Sequence, residues 1–147
     1  LEKMISAFMT LFTIPKFVRR VGEHSGRADT WYRGMRPHGG RSLNLRQVFS
    51  HELPVTSFAT DVDYSLRKDF VSQQNHCCLL VCTVPVGTLY LDVDYLLWYK
   101  TNFIHYSERE IIVPPGYSLR RIMDRGNVAG GVDQRMTDIM SIHCELY

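Results

Sequence analysis

At 147 residues, with 45% hydrophobic and 22% charged residues, the chain suits one domain with its own core and is too apolar for a disordered one. A formal net charge of +2 does not argue for nucleic acid or a membrane surface. No apolar run approaches the roughly 18 residues that a membrane-spanning helix needs, so neither partner is favoured.

Residues 1–20 read as one amphipathic helix, interrupted or ended near Pro15. Ile5, Phe8, Met9 and Phe12 fall at the i, i+3, i+4, i+7 spacing of a single helix face. The stretch has no basic leader and no small-residue cleavage site, which weighs against a signal peptide. The chain opens on Leu1 rather than Met, as expected of a fragment or a processed product. A polar loop with Gly22, Ser25 and Gly26 follows. TWYRGMRP at 30–37 is a short β-prone run closed by Pro37 and Gly39-Gly40. Residues 43–51 suit a helical turn, and 53–60 a strand entering a turn. Asp61 is placed to cap a short helix through Phe70, followed by a loop at 72–75.

CCLLVCTV at 77–84 is almost wholly apolar, which predicts a strand covered on both faces. VPVG turns the chain into TLYLDV, and 94–107 is an aromatic-rich segment. EREIIVPPG predicts a strand stopped by Pro114-Pro115-Gly116. YSLRRIM and IMSIHCELY are the closing strands, with a glycine-containing loop at 126–131 between them. Helical material first and strands afterwards imply a single α+β domain over 1–147 with antiparallel sheets. Trp31, Val55, Phe70, Leu79, Val81, Ile111, Val113 and Ile142 are its expected core.

Four cysteines are present: Cys77, Cys78, Cys82 and Cys144. They form no CxxC pair, and no histidine stands at zinc-ligand spacing from them. They read as small buried thiols of a reducing, cytoplasmic compartment, and no metal site is expected.

Three segments carry residues suited to chemistry. In Trp31-Tyr32-Arg33-Gly34-Met35-Arg36, an arginine sits inside an aromatic and apolar strand. A guanidinium there needs an anion, either a carboxylate in a structural salt bridge or a phosphate held by its fork. In Val55-Thr56-Ser57-Phe58-Ala59-Thr60, a strand ends in hydroxyl residues, which either cap local backbone or place a hydroxyl at a cleft edge. In Glu108-Arg109-Glu110-Ile111-Ile112-Val113, strand alternation puts Glu108 and Glu110 on one face. They make either an exposed polar strand end or a pair of working carboxylates.

Taken in this order, the three segments resemble the Arg–Ser–Glu signature of the cholera-toxin-like mono-ADP-ribosyltransferases. YRGMR is similar to that family's first-strand arginine, VTSFATDVDYSLRKDF to its Ser-Thr-Ser strand and following helix, and SEREIIVPPG to its Glu-x-Glu strand. The serine motif keeps only its first serine, Ser57. The resemblance covers about residues 29–147 and makes 1–20 the family's N-terminal helical part.

The resemblance implies a split pair of antiparallel sheets with NAD in the central cleft. It implies an enzyme that cleaves NAD, releases nicotinamide through an oxocarbenium-like transition state and transfers ADP-ribose to a protein acceptor, with no metal. Arg33 would bind the diphosphate, with Gly34 and Arg36 beside it. Ser57 would hold the nicotinamide-ribose end and position Glu110, which would bond the ribose and stabilise the cation. Glu108 would face the acceptor. The family often has glutamine there when it modifies asparagine, cysteine or guanine bases, so glutamate favours arginine. Phe103, His105 and Tyr106 would belong to the substrate-recognition loop. Two alternatives keep much of this framework: an NAD glycohydrolase using water, and a degenerate module that binds NAD or protein without catalysis.

Overall fold

The computed structural model describes residues 6, 9–35, 45–62, 78–96, 110–122 and 140–147. Within them run β1 (Val18–Arg20), β2 (Asp29–Met35), α1 (Leu45–Ser50), β3 (Thr56–Ala59), β4 (Cys78–Val84), β5 (Leu89–Asp92), β6 (Glu110–Val113), β7 (Leu119–Arg121) and β8 (Met140–Leu146). The fold is mixed α+β: eight strands form one open sheet in the order β1-β5-β6-β3-β2-β4-β8-β7, with short helices packed on it.

The N-terminal helical stretch ends near Pro15, as the sequence predicts, and residues 16–20 do not continue it. Helical residues stop at Leu11, and Val18–Arg20 is an edge strand paired with Leu89–Leu91 of β5. The cause is local. Thr13, Ile14 and Phe17 donate their backbone N–H to the carbonyls of Thr10, Leu11 and Ile14, three residues back, which tightens the last turn. Pro15 then disfavours the helical conformation of the residue before it. The proposed cap at Asp61 leads into residues that, with Phe70, lie outside the described ones.

The predicted strands at 53–60, 77–84, 88–93, 108–116, 117–123 and 139–147 each contain an observed strand, and the run at 30–37 overlaps β2, which starts one residue earlier at Asp29. Pairing directions differ from the expectation of antiparallel sheets throughout. β4 and β8 run parallel over Cys78–Thr83 and Met140–Glu145, while every other pairing is antiparallel. Parallel neighbours need a long crossover rather than a tight turn. Here β5, β6 and β7 intervene in the sequence, so no local signal marks the pairing. The sheet is also not two separate pieces. Its narrowest junction is β2–β3, joined at the single residue pair Tyr32↔Ala59, against seven pairs between β2 and β4.

One face of the sheet carries the larger core, in which Trp31, Phe58, Leu80, Cys82, Ile111, Val113, Ile142 and Cys144 are buried. The other face buries Leu91 and Ile112 beneath Phe17, with Val55 partly buried against them. Leu79 and Val81 are buried too, so β4 is covered on both sides as its composition predicts. Pro114-Pro115-Gly116 ends β6. Gly116 takes a φ of 106°, open to glycine, and its N–H donates to the Leu53 carbonyl at 3.1 Å.

Trp31 anchors β2. It is 1% exposed and packs edge-on to Tyr90 at 5.4 Å and tilted against Phe58 at 5.9 Å. Trp31→Ala is expected to cost about 3–5 kcal/mol, through lost burial plus the cavity left behind. Urea denaturation checks this: the midpoint falls while the slope stays the same. A loss under about 1 kcal/mol would mean that Trp31 does not anchor the strand.

Candidate active site

β2, β3 and β6 bring Arg33, Ser57 and Glu110 together. β3 lies between the other two, and its ladder with β6 pairs Ser57 with Ile112 and Ala59 with Glu110. Ser57 and Glu110 are thus diagonal neighbours on one face, a spacing that polar side chains can bridge. Ser57 Oγ donates to Glu110 Oε1 at 2.6 Å. Beyond the Tyr32↔Ala59 pair the β2–β3 ladder stops, and the next residue of β2 is Arg33. Its Nη1 crosses to β3 and donates to the Ser57 carbonyl at 2.6 Å. One residue, Ser57, therefore holds Arg33 through its backbone and Glu110 through its side chain.

Arg33 is partly buried and makes no ion pair among the described residues. Burial lowers its pKa from the ordinary guanidinium value, and the neighbouring Cys82 sulfur acts in the opposite direction. An arginine stays charged across the accessible pH range. A single neutral carbonyl leaves most of its donors available to an anion. Arg33 also lines a cavity of about 300 Å³ between α1 and the sheet, walled by Met35, Val48, Leu53, Leu80 and Leu119 and edged by His51 and Glu52. Ser57 and Glu110 do not line this cavity, which therefore lies beside the Arg33–Ser57–Glu110 line rather than around it.

Gly34 lies in β2, in register with Leu79. Glu108, Arg36, Phe103, His105 and Tyr106 lie outside the described residues, so their expected roles stand on the sequence alone. Among the described residues no group of three or more His, Cys, Asp or Glu is placed to hold a metal ion. Two features of the site escape sequence reasoning. The Ser57 carbonyl acts through the backbone and so leaves no residue signature. The cavity depends on α1 packing beside β7, far apart in the chain.

No protein-family profile matches this chain. No curated protein matches it either.

Proposed function

We propose that the chain is a mono-ADP-ribosyltransferase domain that splits NAD and transfers ADP-ribose to a protein acceptor, with arginine favoured. The observation that carries the proposal is the hydrogen-bonded line Arg33–Ser57–Glu110 across three adjacent strands. Those residue types stand in the order of the Arg–Ser–Glu signature. The line ties a cation suited to a diphosphate to a carboxylate suited to a sugar cation. NAD is proposed to lie along this line, where the β2–β3 ladder narrows to one residue pair.

In this reaction Arg33 clamps the diphosphate through charge-assisted hydrogen bonds. Ser57 fixes the rotamer of Glu110. The bond between nicotinamide and ribose breaks, its electron pair leaves with nicotinamide, and positive charge develops on the sugar. Glu110 stabilises that charge from a position set before the reaction begins. An acceptor guanidinium nitrogen attacks the sugar carbon and loses a proton, for which Glu108 is the proposed base.

Incubation with NAD labelled in its adenosine half and a mixed protein lysate tests the proposal. Labelled protein bands, with modified arginines found by peptide mapping, are the expected result. Free ADP-ribose without labelled protein would make water the acceptor and the domain a glycohydrolase. NAD binding with no nicotinamide released would leave a binding module.

A further inference from the structure

Beside Arg33 the sheet holds a second chemistry-bearing pair, which NAD cleavage does not use. Cys82 on β4 and Cys144 on β8 are direct register partners on adjacent parallel strands. Their Sγ atoms lie 2.9 Å apart, and both side chains are fully buried. Adjacent strands are about 4.7–4.9 Å apart, inside the roughly 4.4–6.8 Å between Cα atoms that a disulfide spans. Register partners point to the same face, so a bond between these sulfurs needs no movement of either strand. Cys78 lies on the same strand, but its register partner is Met140.

We propose that Cys82 and Cys144 are a dithiol that a small neutral peroxide oxidises to a disulfide, pinning β4 to β8. Cys82 is held as a thiol: its hydrogen bond with Cys144 and then burial push its pKa well up, against the opposing pull of the Arg33 guanidinium. With Cys144 attacking, Cys82 is the resolving sulfur. The Cys144 sulfur attacks an oxygen of hydrogen peroxide, the O–O bond breaks, and the hydroxide released takes up the Cys144 proton, forming water. The sulfenic acid left on Cys144 is attacked by the Cys82 sulfur. The S–S bond forms as the S–O bond breaks, and the departing hydroxide carries off the Cys82 proton as a second water. The two thiols lose two electrons and two protons, and one peroxide becomes two waters. The linked residues are 62 apart in sequence, so the bond strongly restricts the unfolded chain.

Peroxide treatment of the reduced, desalted protein tests this. Remaining thiols are alkylated under denaturing conditions and the digest is mapped without reductant. The expected result is a Cys82–Cys144 cross-linked peptide and a melting temperature raised by roughly 10 °C, both reversed by dithiothreitol. Cys78→Ala keeps the cross-link and Cys144→Ser abolishes it. The map of the unsubstituted chain decides the matter even if a variant folds poorly. Sulfinic acid on either cysteine without a cross-link, a disulfide to Cys78 instead, or thiols untouched by peroxide would each overturn the proposal.

Discussion

Glu110→Gln is expected to lower nicotinamide release from NAD by about 10²–10³ while leaving NAD affinity nearly unchanged. Glutamine has the shape of glutamate, and its amide oxygen still accepts the hydroxyl of Ser57, now 2.6 Å from Glu110 Oε1. What disappears is the charge. A full negative charge near the sugar stabilises the oxocarbenium-like transition state far more than it stabilises bound NAD, so the effect falls on kcat rather than KM. Single-turnover kinetics read the chemical step, and a separate titration reads binding. A variant that releases nicotinamide at the unsubstituted rate would remove Glu110 from the chemistry. One that loses binding and rate together would make it a clamp rather than a stabiliser.

Arg33→Met is expected to weaken NAD and ADP-ribose binding alike, by about ten- to a hundredfold, the worth of one or two charge-assisted hydrogen bonds. ADP-ribose carries the diphosphate but no nicotinamide. An equal loss for both ligands therefore assigns Arg33 to the diphosphate. Folding stability is expected to change by about 1 kcal/mol or less, because two effects oppose. The hydrogen bond to the Ser57 carbonyl is lost, and a partly buried charge no longer has to be kept from water. Calorimetric titration of both ligands checks the prediction. Unchanged ADP-ribose affinity would refute the diphosphate role.

Much of the strand content was legible in the sequence because apolar runs such as CLLVCTV and EIIV, and the apolar–polar alternation of MSIHCEL, leave little choice of structure. β1 was not. Its three residues directly follow a stretch of helical periodicity, and their strand pairing depends on β5, far along the chain. The parallel β4–β8 pairing was hidden for the same reason: direction is set by connections that no local pattern reports. At the site, Arg33, Ser57 and Glu110 were visible as residue types in a recognisable order. Their linkage was not, because half of it runs through the Ser57 carbonyl. The core lesson is similar for Cys82 and Cys144. Each reads as an ordinary buried thiol, and only register makes them a pair.

The most direct measurement is nicotinamide release from NAD by the purified chain, followed over time by chromatography beside Glu110→Gln. The proposed chemistry predicts nicotinamide in molar excess over the unsubstituted protein and a trace, if any, from the variant. Equal release from both, or none from the unsubstituted chain at NAD concentrations that saturate its binding, would contradict it.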